Sequence, residues 1–352
     1  MRILVGISHP KQVYMFKNLI KEMESGGHKI KVVLVEKEIT GFLLGQFKIP
    51  YELIGTNQKS FFSKILNLPG WEIRTFRIAH KFKPDIFIGQ ALPHLAHVSA
   101  LLNKPFVVFE DTEHAKKLHK IVLPFADAIV TPDCFRNDLG KKQVRFKGNY
   151  ELAYLHPNNF QPDAGILKEF GLEKDSKFII LRFISWEAVH DIGQSGLDME
   201  TKRKLVKEFE RYGKVFISSE KKLPQDMEKY RIRLSATQMH NFMYHATLLF
   251  GESATMASEC AVMGVPSILI DFEGRGYTDE EEKKYGLVFR FSTQRQDQER
   301  AIKKAIELLE NPNLKNEWSI KREKMLNEQI DVTRFMINFI LDLTRDENTH
   351  NS

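Results

Sequence analysis

Two cysteines in 352 residues are too few for a disulfide framework, and neither Cys134 nor Cys260 has the CxxC partner of a common zinc site. No metal is expected. Apolar runs are short, far below the ~20 residues that cross a bilayer. The opening Met1-Arg-Ile-Leu-Val-Gly-Ile7 reads as a strand and not as a signal peptide, so a reducing, cytoplasmic setting is expected. There is no GxGxxG and no GxxxxGK[ST], which argues against the usual NAD enzymes and P-loop NTPases. There is no GxSxG elbow for a serine hydrolase. Motifs for RNA or DNA are also missing, and no nucleic-acid partner is expected. The net charge of +6 comes from 52 Lys and Arg mixed with 46 acidic residues, a balance that suits anionic small molecules or a membrane surface better than nucleic acid. Peripheral membrane contact and pairing of two copies both stay open.

What is present is a globular composition, 42% apolar and 28% charged, in a chain longer than one core usually supports. Two domains follow. The first half alternates buried apolar runs (Ile3 to Ile7, Ile30 to Val35, Ile86 to Ile88, Phe106 to Phe109, Ala128 to Val130) with helical stretches near 10–25, 60–81, 91–103 and 113–123. That rhythm predicts a parallel sheet covered by helices. Residues 132–176 break it with Pro132, Pro157 and Pro162 and read as a linker. Strands at Phe178 to Leu181 and Val215 to Ser218 and helices near 198–212 and 237–246 restart it. A strand at Leu287 to Phe291 and helices over 295–310 and 314–343 finish it. The expected domains are 1–160 and 161–345, with a frayed polar tail over 346–352. Two such α/β domains form a cleft at the carboxyl ends of their strands, where ligands of this fold class bind.

The segment from Phe250 to Leu269 is the most specific signal. It reads as strand, turn, helix, Gly stop and new strand. Ser253 is placed as an N-cap, leaving the amides of Ala254, Thr255 and Met256 to point outward as an anion site beside Glu252. Glu259 lies six residues on, roughly 9 Å along the helix, at the reach of a ribose whose phosphates sit at the tip. The segment looks like a cradle for a nucleotide diphosphate.

Other strand-end loops carry chemistry. Gly6, Ser8 and His9 follow the first strand, with Gly6 allowing close backbone approach and Ser8 capping the next helix. Gln90 and His94 follow another strand. Glu110, Asp111, Glu113 and His114 group carboxylates and an imidazole at a strand exit, as a general base or sugar-hydroxyl site requires. Arg182 is a phosphate partner by charge. Ser185, Glu187, His190 and Asp191 offer acid–base groups, and Glu220 adds a carboxylate after the next strand.

Six pieces carry a resemblance: Gly26-Gly-His28-Lys-Ile30, Lys83-Pro-Asp85-Ile, Glu110-Asp-Thr-Glu-His114-Ala, Glu151-Leu-Ala-Tyr154-Leu-His156-Pro157, Ser185-Trp-Glu-Ala-Val-His190-Asp191 and Gly251-Glu-Ser-Ala-Thr-Met256. Together they resemble the archaeal and bacterial DUF354 family, within the GT-B superfamily of glycosyltransferases and UDP-N-acetylglucosamine 2-epimerases. The resemblance implies a GT-B-like α/β fold of two Rossmann-like domains with C-terminal helices packing back. It implies phosphate binding by Ser253 to Thr255 and ribose binding by Glu259, with Ala254 and Thr255 where the epimerases have two glycines. Glu110 and Asp111 fall where those enzymes hold a catalytic Glu, whereas their His-Arg-Arg-Glu loop has no faithful copy here. The expected activity is metal-independent transfer from a nucleotide-sugar, such as a UDP-sugar, to an unknown acceptor, with Asp111 or His9 as base. The nucleotide-sugar is substrate, and no cofactor is expected. Epimerisation or hydrolysis of such a sugar, or binding without catalysis, are the alternatives.

Overall fold

Runs such as Ile3–Ile7 and Phe106–Phe109 are apolar at every position because both of their faces are covered, which is the pattern of parallel strands. The computed structural model describes residues 1–57, 61–184 and 196–350. The chain forms two units, Met1–Asn159 with the segment from Ile330 onward, and Phe160–Gln329.

The first unit runs β1 (Arg2–Ile7), α1 (Pro10–Ser25), β2 (Lys29–Glu36), α2 (Thr40–Gln46), β3 (Tyr51–Thr56), α3 (Phe61–Phe82), β4 (Ile86–Gly89), α4 (Pro93–Leu101), β5 (Phe106–Phe109), α5 (Lys116–Val122), β6 (Ala128–Pro132), β7 (Gln143–Phe146) and α6 (Leu152–Leu155). Its seven parallel strands lie in the order β3-β2-β1-β4-β5-β6-β7. Side chains alternate across the sheet. Phe106 and Val108 enter the layer made with Leu92, Leu95, Val98 and Val122 of the α4 and α5 side. Phe109 points the other way, onto Phe16 of α1 at 5.9 Å.

The second unit runs β8 (Phe178–Phe183), α7 (Met199–Phe209), β9 (Lys214–Ser219), α8 (Met239–Tyr244), β10 (Leu248–Gly251), α9 (Ala254–Met263), β11 (Ser267–Ile270), α10 (Gly276–Lys283), β12 (Val288–Phe291), α11 (Arg295–Glu310) and α12 (Leu314–Glu328). Its five parallel strands are ordered β12-β11-β10-β8-β9. Phe242 of α8 anchors its aromatic core, with ring centroids 4.5 Å from Phe170, 4.8 Å from Phe178 and 5.2 Å from Phe216.

Three expectations change. The stretch 132–176 is not simply a linker: it holds β7, which closes the edge of the first sheet, and α6. The helical stretch 314–343 is two helices. After α12 the chain returns to the first unit as α13 (Val332–His350), whose Phe335 packs on Phe146 at 5.3 Å. The tail expected to fray from 346 is helical to His350, while 351–352 lie outside the described residues. Among the described residues no helix is long and apolar enough to cross a membrane.

Phe242→Ala deletes the ring shared by three neighbours in a site with no solvent access. It is expected to cost the second unit about 3–5 kcal/mol, read as a lower denaturant midpoint in guanidinium titration followed by circular dichroism. A cost below about 1 kcal/mol would contradict this packing.

Candidate functional site

In each unit the strand order reverses once, and the loops at the carboxyl ends of the two strands flanking that point diverge, leaving room for a ligand. In the first unit the point lies between β1 and β4, beside β5. Lys11, in the first turn of α1, places its Nζ 2.5 Å from Asp111 Oδ2 and 2.8 Å from Glu151 Oε1. One cation thus serves two carboxylates, and all three side chains are largely buried. Hydrogen bonds extend the cluster. The Ser8 amide donates to Gln12 Oε1 (2.6 Å), Gln12 Nε2 to Gln90 Oε1 (2.7 Å), and Gln90 Nε2 to Asp111 Oδ1 (3.1 Å). The Thr112 hydroxyl also donates to Asp111 Oδ1, at 3.3 Å.

His9, and not Ser8, is the N-cap of α1: its Nδ1 accepts the Lys11 amide at 3.2 Å. Burial, then the charges of Lys37 and Lys11, push its pKa down to about 3, against an opposing pull from Asp111. The neutral ring therefore carries its proton on Nε2 and presents a hydrogen-bond donor. This removes His9 as the base offered by the sequence. Glu110 also departs from an acid–base role. Its carboxylate is buried and bound by the amides of Asp111 (3.0 Å), Thr112 (2.7 Å) and Ala91 (3.3 Å), so it shapes the β5 exit. Glu113 does similar work, accepting the Arg136 amide at 3.0 Å. His114 follows in the same turn, half-buried. Gly6 is needed for packing: a Cβ there would collide with the Leu95 and Leu92 side chains of the β4–α4 segment.

In the second unit the reversal lies between β8 and β10. Gly251 ends β10, and a Cβ there would strike the Arg182 backbone of the neighbouring strand. Ser253 caps α9, its Oγ accepting the Met256 amide at 3.3 Å. Ala254 and Thr255 are the first two helical residues, so helix geometry gives their amides no intrahelical partner. Ser253 to Met256 are partly exposed, and Gly264 closes α9 in the left-handed conformation, φ 77°. Glu259 is buried, with Oε1 2.9 Å from His240 Nε2 of α8.

Three residues taken for ligand contacts are otherwise engaged. Glu252 is buried, and its two oxygens accept the amides of Ile184 (3.0 Å) and Leu197 (2.6 Å), which ties together the flanks of 185–195. Arg182 donates to Ser218 Oγ (3.0 Å) and to Glu220 Oε1 (2.5 Å), so the two charges neutralise one another. Ser185, Glu187, His190 and Asp191 lie outside the described residues. The sequence reading missed Lys11, Gln12, Glu151 and His240 as site residues. Lys11 and Gln12 follow a strand-end loop and were open to discovery by position. Glu151 opens one of the family pieces without being singled out as a site residue, and His240 carries no local signal.

The His9 state has a measurable consequence. A folded pKa below the ordinary 6.5 means the unfolded chain binds a proton that the folded state refuses. Its contribution to stability is present above pH 6.5 and is lost as pH falls toward about 3. Its imidazole NMR signals should not titrate between about pH 8 and pH 5, and its nitrogen shifts should report the Nε2–H tautomer; a midpoint near 6.5 would contradict the buried cap.

Comparison with known proteins fits this geometry. An uncharacterized protein of Methanocaldococcus jannaschii is 24% identical over 279 residues, 76% of this chain and 80% of that protein. The UDP-GlcNAc 2-epimerase from Neisseria meningitidis, solved bound to UDP-GlcNAc, superposes with a TM-score of 0.66 at 12% identity, covering 97% of this chain and 100% of that one. The spinosyn forosaminyltransferase SpnP gives 0.68 at 12% identity, covering 98% and 99%. At these identities the likeness establishes the fold, which is that of the GT-B class. The family model described as Protein of unknown function (DUF354) matches residues 1–343, and the chain belongs to that family.

Proposed function

We propose that the chain is a nucleotide-sugar-dependent glycosyltransferase. The observation that carries this reading is the start of α9: accessible, capped by Ser253, with the Ala254 and Thr255 amides unused within the helix. Two aligned amides at a positive helix end suit a diphosphate, and the same donors stabilise the charge that grows on it as the sugar leaves. No metal ion enters this proposal, because the helix end meets that charge. Glu259, oriented by His240, accepts the ribose hydroxyls. Structures of the same fold include an epimerase bound to UDP-GlcNAc and a forosaminyltransferase, which supports a nucleotide-sugar as the ligand.

Asp111 is the base. Gln90 and Thr112 hold Oδ1, and Lys11 holds Oδ2. In the transfer, an acceptor hydroxyl gives its proton to Asp111 while its oxygen forms the new bond to the anomeric carbon. The old bond breaks with its electron pair leaving on the diphosphate. Lys11, shared with Glu151, keeps the buried carboxylates from repelling each other through this step. His9 Nε2–H is a donor for an oxygen of the acceptor. Epimerisation at the sugar C2 is the second reading, favoured by the likeness to the Neisseria enzyme.

A single substitution tests the amide site without dismantling it. Ala254 is the first helical residue, where proline is well tolerated, and Ser253 is already extended (φ −106°, ψ 109°) as a residue before proline must be. Ala254→Pro removes one N–H and keeps the helix. In calorimetric titration with UDP-sugars it should weaken binding by about tenfold or more, the loss of one hydrogen bond to a charged group, with the melting temperature little changed. Glu259→Gln should weaken binding of UDP by a similar factor, roughly tenfold. Unchanged affinity in Ala254→Pro, or no heat with any UDP-, GDP- or ADP-sugar, would overturn the reading. Product NMR with UDP-GlcNAc then separates transfer from epimerisation.

A further inference from the structure

The helices on one face of the first sheet carry the net charge of the entire chain. α3 and α5 hold seven Lys or Arg, at 64, 74, 77, 81, 116, 117 and 120, against one acid, Glu72; α4, packed between them, has no Lys, Arg, Asp or Glu. That excess of six equals the net charge of the protein. The rest of the chain is balanced, with 45 cations (52 less seven) and 45 acids (46 less one). Arg74, Arg77, Lys81, Lys116, Lys117 and Lys120 are exposed, and among the described residues none of them pairs with an acid. Glu72 is itself bonded to His97, at 2.5 Å.

The same layer concentrates exposed apolar surface. Of fourteen large hydrophobic side chains exposed among the described residues, seven lie on α3, α4, α5 and the turn Leu123–Phe125. Leu66 is 80% and Leu101 72% exposed. Leu118, Ile121 and Phe125 recur at helical spacing on the α5 side. Phe125 packs edge-on against His97 at 5.1 Å, and His97 bonds Glu72, the neighbour of exposed Ile73, so these elements form one continuous surface. At the carboxyl ends of α3 and α4 it borders a cavity of about 560 Å³, lined by Lys29, His80, Lys83, Leu102 and Lys104. The acid in that lining, Asp85, accepts the Arg2 amide at 2.6 Å.

We propose that this face docks the first unit on an anionic lipid bilayer. Cations without acidic partners meet lipid phosphates, while leucine, isoleucine and phenylalanine side chains among them enter the headgroup boundary. A purely solvating charged face would interleave acids with its lysines, as the remaining residues do, and would not collect half of the exposed large apolar side chains. Nucleic acid would use the charge and leave the aliphatic side chains without a role. The proposal stands whether or not the chain transfers sugars.

The test is sedimentation of the full chain with vesicles of phosphatidylcholine alone and of phosphatidylcholine mixed with phosphatidylglycerol. Binding is expected to the mixed vesicles, to weaken as salt rises, and to be slight on phosphatidylcholine. The triple variant Lys116→Glu, Lys117→Glu, Lys120→Glu should bind at least about tenfold more weakly. Leu118→Ser with Ile121→Ser should lower binding while leaving its salt dependence. Arg77→Glu with Lys81→Glu gives an independent reduction from α3, and circular dichroism checks that each variant is folded. The proposal is overturned if the mixed vesicles are not bound, if both vesicle types bind equally, or if the folded charge variants bind as tightly as the unsubstituted chain; a protein or nucleic-acid partner for this face would appear as the first of these results.

Discussion

A parallel strand covered on both faces can leave its sheet only at its end, and the next backbone it reaches is a helix start with amides that lack partners. The polar clusters at the strand ends of this chain follow from that constraint. Carboxyl ends of strands collect turns, caps and carboxylates because the amides there must be satisfied. Some ends satisfy them internally: Glu110 takes the Asp111 and Thr112 amides at the β5 exit and the Ala91 amide after β4, and Glu252 takes the Ile184 amide after β8 and the Leu197 amide before α7. The start of α9 leaves the Ala254 and Thr255 amides without a partner inside the helix, which sets it apart from those ends.

Charge in the first unit's site is organised by scarcity. Asp111 and Glu151 are buried, and Lys11 reaches both. Removing one member of such a cluster strands a buried charge, at a cost of about 3–5 kcal/mol, whereas the intact set holds its geometry against solvent. Burial, then the charges of Lys37 and Lys11, keep the His9 imidazole neutral, so Lys11 both pairs with the carboxylates and bears on His9. Tyr150, fully buried and hydrogen-bonded to the Val130 carbonyl at 2.7 Å, is kept protonated by burial and by the Asp111 and Glu110 charges. A carboxylate held by a largely buried cation and a neutral imidazole thus lie at strand-end loops of the first unit.

The outer layer follows another logic. Concentrating the net charge on α3 and α5 costs some self-repulsion that salt screens. A fold does not need that arrangement, since balanced charge elsewhere in the same chain supports an equally regular second sheet.

Local features of this protein were legible in its residues. Ser253 and Gly264 bracket α9 because capping and a left-handed stop are decided within a few residues, and α1 and α11 match their helical periodicity for the same reason. The family pieces and the alternation of strand with helix carried the GT-B class. What stayed hidden depends on partners distant in sequence. Lys11 and Asp111 meet across 100 residues, and His240 finds Glu259 only because α8 and α9 pack together. β7 was hidden because an edge strand needs only one short, half-polar run. The return of α13 was hidden because its apolar face does not name the unit it covers. The roles of His9, Arg182, Glu252 and Glu110 changed because a side chain's chemistry depends on which donors and acceptors surround it. The sequence by itself determined the elements and their caps, through interactions spanning a few residues; only tertiary structure decided which polar groups were consumed by one another and which remained for a ligand, because that pairing is made by packing.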